Sequence, residues 1–306
     1  MIELHLGCVC VRVCGRPSVR VSTFHTCLRI LLFSRGIPRR PSMSQLFCLR
    51  SRVALVTGGG TGIGAALARG LAEAGARVVI AGRRSGPLQE TASHINADLG
   101  EEVCFQLACD VADLDSAPAI AETAAGLAGG PPVLLINNAG VNVRQSADDL
   151  QPEHWRTSMD LMLAAPFFLA RACAPGMSAA GYGRIVTTAS LQSAQAFPNS
   201  IPYAAAKSGV MGLTRALAEA YSPARDFEGI TCNAIAPGFV RTELTASVFA
   251  DDSRADRLAA RTIVGRNSVP QDLVGAAVFL CAPASAYVNA QTLYVDGGYT
   301  ALGEPR

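Results

Sequence analysis

The chain carries 26 basic residues, of which one is a lysine, and that lysine stands four positions after a tyrosine in Tyr203-Ala-Ala-Ala-Lys207. On a helix, residues four apart share a face one turn apart, so an ammonium there lies beside a phenol. The pair suits proton transfer. A free phenol titrates at about 10, too high for neutral conditions, and a neighbouring cation favours the phenolate. An arginine would not substitute, because a planar guanidinium fork and a compact ammonium on a flexible stem fill different geometries. Thirteen residues before the tyrosine is Ser190, closing the apolar run Arg184-Ile-Val-Thr-Thr188. Its hydroxyl could donate to an oxygen on which charge develops, or could cap the local backbone.

A second group of residues is suited to phosphate. Thr57-Gly-Gly-Gly-Thr-Gly62-Ile-Gly64 follows an apolar run and precedes a segment of helical period. A helix that begins after a glycine-rich turn presents free N–H groups and the positive end of its dipole, and glycines let a pyrophosphate approach the backbone. The spacing, Thr-Gly-x3-Gly-x-Gly, departs from the common Gly-x-Gly-x-x-Gly fingerprint.

These residues need a scaffold, and the pattern of the chain supplies one. Short apolar runs at Arg52–Thr57, Arg77–Ala81, Val103–Ala108, Val133–Asn137, Arg184–Thr188, Ile230–Ala236 and Thr292–Val295 read as strands. Helical periods fill Ile63–Ala74, Ser85–Leu99, Asp113–Leu127, His154–Ala180, Ala204–Tyr221 and Gln271–Cys281. Such alternation predicts right-handed crossovers and a single doubly wound parallel sheet of the α/β class, with helices on both faces.

Composition bounds the reading further. An apolar share of 50% over 306 residues is ample for a buried core. No apolar run is expected to reach the roughly 20 residues of a membrane-spanning helix, so no membrane partner is expected. Residues 1–42 hold seven arginines against a single acid, Glu3, and without them 19 basic residues face 23 acidic ones, a net charge of −4. The basicity belongs to the leader, and nucleic acid is not an expected partner. Residues 1–42 show no period and read as an unstructured leader, either an over-extended start ahead of Met43 or an Arg-rich transit peptide, with the folded domain at 43–306. The cluster Cys8, Cys10, Cys14, His25 and Cys27 matches no closed tetrahedral spacing, and no metal is expected. Cys48, Cys104, Cys109, Cys173, Cys232 and Cys281 are scattered singly, as small hydrophobes in a reducing compartment.

Taken in order, Thr57 to Gly64, Asn137-Asn-Ala-Gly140, Ser190, Tyr203-x3-Lys207, Pro237-Gly238 and Val295-Asp-Gly-Gly298 resemble the short-chain dehydrogenase/reductase family across residues of about 45 to 302. The tail from Val264 looks most like its gluconate 5-dehydrogenase and 3-oxoacyl-[acyl-carrier-protein] reductase branches. The resemblance implies a Rossmann fold and an oxidoreductase that passes a hydride between a nicotinamide cofactor and a secondary alcohol or ketone of sugar-acid, polyol or 3-oxoacyl type. Tyr203 would be the general acid/base, Lys207 would lower its pKa and hold the nicotinamide ribose, and Ser190 would donate to the substrate oxygen. Thr57, Gly58, Gly62, Ile63, Gly64, Arg83, Asp110, Val111, Asn138, Ala139, Gly140, Pro237 and Gly238, with Tyr203 and Lys207, would bind the cofactor.

Gly82-Arg83-Arg84 ends the second strand where NAD binders place an acid, so NADP is preferred over NAD, although Thr61 stands where many NADP-using relatives carry a basic residue. One departure is Met162, aligned with a family Asn that bends the long helix and places a water. A thioether cannot replace that amide, and Asp160 is the poorer-fitting alternative equivalent. Met162 is also the sole support for a rival reading, a dinucleotide-binding regulatory or scaffolding protein without turnover. Substrate walls are expected from Val141–Arg144, Leu191–Asn199 and Phe239–Arg266, with Arg144 able to hold a carboxylate. By analogy the enzyme would be a cytoplasmic homotetramer assembled through the two long helices, or mitochondrial if the leader is a transit peptide.

Overall fold

The computed structural model describes residues 42–303. The leader expected at 1–42, its cysteine cluster included, lies outside the described residues except for Ser42. Seven strands, β1 (Val53–Thr57), β2 (Arg77–Gly82), β3 (Cys104–Ala108), β4 (Pro132–Asn137), β5 (Gly183–Thr188), β6 (Ile230–Pro237) and β7 (Thr292–Val295), form one sheet in the order β3-β2-β1-β4-β5-β6-β7. Every pairing is parallel. The helices are α1 (Met43–Leu46), α2 (Gly62–Glu73), α3 (Ser85–Leu99), α4 (Ala117–Ala128), α5 (Pro152–Met159), α6 (Ala165–Ala179), α7 (Ile201–Ala220), α8 (Ala246–Phe249), α9 (Asp252–Ala260) and α10 (Val274–Cys281).

Strand periodicity explains the two layers of helix. Alternate residues point to opposite faces, so Ala54 and Val56 of β1 join Val78 and Ile80 of β2 in one core, beneath Leu71 of α2, Leu88 of α3 and Leu280 of α10. Val53 and Leu55 turn the other way, with Val79, to meet Ile120 of α4, Leu169 and Met177 of α6 and Leu217 of α7. Both faces are apolar, and both are covered. The order of the sheet reverses at β1 and β4, and the crevice beyond the carboxyl ends of those strands is where such folds bind ligands.

The sequence reads as one continuous helix from His154 to Ala180, and the structure interrupts it. Residues Asp160–Ala164 form a π turn in which the Ala165 N–H donates to the Asp160 carbonyl. Pro166 supplies the reason: it has no N–H, so the carbonyl of Met162, four residues earlier, has no α-helical donor, and the ladder slips to the wider spacing. The expectation that no segment matches a membrane span also needs correction. Residues 152–179 are long and apolar enough to cross a bilayer by length and mean hydropathy. In this fold they cover the sheet instead: Leu169, Ala170, Cys173 and Met177 are packed into the core.

Candidate active site

Beyond the carboxyl ends of the strands lies a cavity of about 490 Å³. One end is the turn after β1. Gly58 has φ +65° and Gly62 φ +56°, a left-handed backbone that glycine adopts at little cost. Gly64 is there for a different reason: a Cβ on it would lie 2.0 Å from the Gly58 carbonyl oxygen. Thr57 holds the turn from behind, its buried hydroxyl accepting from the N–H groups of Asn138 and Ala139, at 3.0 Å each. Asn138 ties three strand ends together, donating to the carbonyls of Thr57 and Gly58 and accepting from the Thr188 hydroxyl. Of the residues expected to bind the cofactor, Gly58, Gly62, Ile63, Arg83, Asp110, Val111, Asn138, Ala139, Gly140, Pro237 and Gly238 line the cavity, whereas Thr57 and Gly64 shape the cradle without lining it.

The other end gathers Ser190, Tyr203 and Lys207. Two tight local links fix Ser190 against α7: the Ser193 hydroxyl donates to the Lys207 carbonyl at 2.6 Å, and the Ser190 N–H donates to Ser193 Oγ. Of the two roles weighed for Ser190, the structure shows the cap: its Oγ accepts from the Gln192 N–H at 3.1 Å, capping the turn Leu191–Ser193, and its hydroxyl stands close enough to Tyr203 to lower the phenol's pKa. Lys207 is buried, 4% exposed, with Nζ donating to the Thr188 carbonyl at 2.5 Å and 5.8 Å from the centre of the Tyr203 ring. The two side chains share a helix face, as their spacing requires.

Their protonation differs from the simplest expectation. Burial raises the Tyr203 phenol above its ordinary value, outweighing the hydrogen bond from Ser190 and the charge of Arg144, both of which lower it. Lys207 does not figure among the groups that lower it. Burial brings the Lys207 ammonium down to about 8. In the protein alone desolvation dominates both groups, because a low-dielectric surrounding penalises whichever form is charged.

Met162 is 1% exposed. A Cβ on Gly140 would lie 3.5 Å from its Sδ, so the thioether packs under the cavity floor. The bend that a family Asn would secure is present without it, carried by Pro166. The segment around Arg144 is tethered on both sides to the residues before α7, through Asn142, which accepts from the Ser200 hydroxyl, and through the Gln145 N–H, which donates to the Asn199 carbonyl. Partial burial, then the nearby charge of Arg254, lower the Arg144 pKa, and Tyr203 raises it. The Arg144 guanidinium thus lies near Tyr203 on one side and Arg254 on the other, and among the described residues neither arginine forms an ion pair with an acid.

Sequence reasoning missed Cys109 and Thr188, which border the cavity from β-strand ends, while Thr242, Glu243 and Thr245, within the segment Phe239–Arg266 expected as a wall, close over it from the turn after β6. The carbonyl of Thr188 holds Lys207, a main-chain role with no side-chain signature. Arg84 and Glu243 form an ion pair of 3.1 Å across the cavity mouth, 159 residues apart. Among the described residues no three His, Cys, Asp or Glu side chains gather as a metal site.

A phosphate cradle at one end of a cavity and a proton-transferring group at the other, on a doubly wound sheet, define a dinucleotide-dependent oxidoreductase. Comparison with known proteins agrees. A family model described as enoyl-(acyl carrier protein) reductase matches residues 58–300. The gluconate 5-dehydrogenase of Gluconobacter oxydans is 38% identical over 261 residues, 85% of this chain and 98% of that one. Among solved structures, a gluconate 5-dehydrogenase from Burkholderia cenocepacia in complex with NADP and tartrate is 39% identical with a TM-score of 0.78, covering 85% of this chain and 100% of that one. A 3-oxoacyl (acyl-carrier-protein) reductase from Agrobacterium tumefaciens with NADP bound is 28% identical, with a TM-score of 0.77 and coverages of 88% and 100%. The chain belongs to the short-chain dehydrogenase/reductase family, and it is an oxidoreductase acting on CH–OH groups.

Proposed function

We propose that the protein is an NADP(H)-dependent oxidoreductase that interconverts a secondary alcohol and a ketone on a sugar acid. The observation that carries the reading is the meeting of Ser190, Tyr203 and Lys207 at one end of the glycine-lined cavity. The cavity fits the cofactor: Gly58, Gly60 and Gly62 line its cradle with left-handed or side-chain-free backbone, and Arg83 and Arg84 line the wall that would face a 2′-phosphate. When bound, the cofactor supplies or accepts the hydride. Gly58, Gly62 and Ile63 would hold its pyrophosphate, Asp110 and Val111 its adenine, and Tyr203 and Lys207 its nicotinamide ribose. Tyr203 gives its proton to the ketone oxygen during reduction and takes one from the hydroxyl during oxidation. Ser190 donates to the same oxygen, where a hydrogen bond is strongest as negative charge grows.

Three substrate types suit the family branches, and Arg144 with Arg254 favours the acid. Arg144, without an acid partner and near the proton-transferring phenol, with Arg254 close to it, provides a charge-assisted site for a carboxylate. The gluconate 5-dehydrogenase relatives support this choice. A regulatory protein without turnover had only Met162 in its favour, and the helix bends without the Asn. The test follows NADPH absorbance over keto sugar acids, ketopolyols and 3-oxoacyl thioesters, with Tyr203→Phe as control. The expected outcome is turnover of keto sugar acids that falls about 10²- to 10⁴-fold in the control. Cofactor binding without turnover of any ketone would overturn the reading. Arg144→Leu should raise KM for the acid about 10- to 100-fold and leave a ketopolyol unaffected.

The enzyme is further proposed to be a cytoplasmic homotetramer. The six cysteines of the described residues are all free, which suits a reducing compartment. Trp155 on α5, Phe167 on α6 and Ile201 on α7 are exposed along the long helices, as a packing face would be. Light scattering of the purified protein decides the assembly.

A further inference from the structure

The ion pair between Arg84 and Glu243 joins two segments with separate tasks. Arg84 precedes α3 at the adenosine end of the cavity, and Glu243 sits in the short turn Glu243–Thr245 that crosses the cavity mouth. The same turn rests directly on the phosphate loop: a Cβ on Gly62 would be 3.2 Å from Thr242 Cγ2. It is held internally by the Thr245 hydroxyl, which donates to the Val240 carbonyl at 2.5 Å, and it leads into α8 and α9, which carry Arg254. Both ion-pair side chains are mostly exposed, at 64% and 68%, so the pair is weak and easily exchanged. Arg83, its neighbour, has no ion-pair partner among the described residues.

We propose that Glu243 is an internal competitor for the cofactor's 2′-phosphate, which displaces it from Arg84. The inference rests on the NADP(H) reading above. A phosphate monoester carries up to two negative charges and offers three acceptor oxygens, so it holds a guanidinium better than a carboxylate does. The two anions also repel each other at this range. A cofactor without the 2′-phosphate leaves the pair closed, because a ribose diol bears no charge to exchange for the carboxylate. Glu243 therefore lowers affinity for the phosphorylated cofactor and leaves that for an unphosphorylated one unchanged.

Binding of adenosine 2′,5′-bisphosphate and of 5′-AMP, measured by calorimetry on the wild type and on Glu243→Gln, tests this. Removing the carboxylate should tighten the bisphosphate roughly three- to tenfold and leave 5′-AMP unchanged. Unchanged or weakened bisphosphate binding by Glu243→Gln, with the wild type still preferring the bisphosphate, would overturn the inference alone. Equal wild-type affinity for the two nucleotides would instead overturn the NADP(H) assignment on which it rests.

Discussion

Lys207 should make the empty enzyme less stable than it would be without a charge there. Its ammonium is 4% exposed and titrates at about 8 instead of 10.5, a shift caused by burial. At about 1.36 kcal/mol for each pH unit, the folded state bears a cost of about 3 kcal/mol wherever the lysine is protonated in both states, below pH of about 8. Between about 8 and 10.5 the unfolded chain binds the extra proton, so stability rises with pH and the cost disappears. Lys207→Met removes the charge but also the hydrogen bond to the Thr188 carbonyl, which costs about 1–1.5 kcal/mol. The variant should therefore exceed the wild type by about 2 kcal/mol near neutral pH, and the gap should close as pH approaches 10. Urea denaturation of both proteins, without cofactor, across that range measures the difference and cancels the cysteines and tyrosines they share. A gap that does not change with pH, or a variant less stable at neutral pH, would refute the claim that burial strains this ammonium. Turnover of the variant should fall by at least about 10²-fold, the usual worth of a positioned proton-transfer group and its partner.

Further outcomes follow from the same geometry. Phenolate absorbance of the wild type minus that of Tyr203→Phe should titrate above the ordinary phenol value in the protein alone and move down when NADP⁺ is added; a midpoint already below that value without cofactor would show that the cations outweigh burial. Gly64→Ala places a methyl 2.0 Å from the Gly58 oxygen, so calorimetry should show a Tm lowered by roughly 5–15 °C and titration should show lost cofactor affinity. Met162→Asn buries an amide at a cost of about 1–3 kcal/mol in stability, yet its turnover with saturating cofactor should be no lower than that of the wild type. A clear fall would show that the thioether has a role the family Asn cannot fill.

Strand and helix placement was legible because each rested on a period set by burial on both faces: Val53-Ala-Leu-Val-Thr57 sends alternate residues into two different cores, and a fully apolar run is the signature of that situation. The group proposed to transfer the proton was legible for a local reason. A four-residue helical spacing needs no knowledge of the rest of the fold to bring Tyr203 and Lys207 to one face. What escaped was whatever depends on main chain or on distant pairing. The π turn follows from Pro166, whose effect falls four residues earlier on a carbonyl that no side chain marks. The Arg84 and Glu243 pair joins positions 159 residues apart, and a charged residue in a polar segment carries no sign of its partner.

The protonation of the site escaped for a deeper reason. Spacing places the cation beside the phenol, but the sign of a pKa shift depends on which effect is larger, and burial is a property of the whole fold. In this site desolvation acts on both groups: it pushes the tyrosine up, which holds the phenol protonated at neutral pH, and the lysine down to about 8, which leaves the ammonium the majority form there but disfavours it. A protonated phenol is the form that donates to a ketone oxygen, and oxidation of an alcohol first requires that proton to leave. The protein by itself is thus poised for reduction. Any gain in phenolate for the reverse direction must come from positive charge brought into the cavity, and an oxidised nicotinamide ring carries that charge.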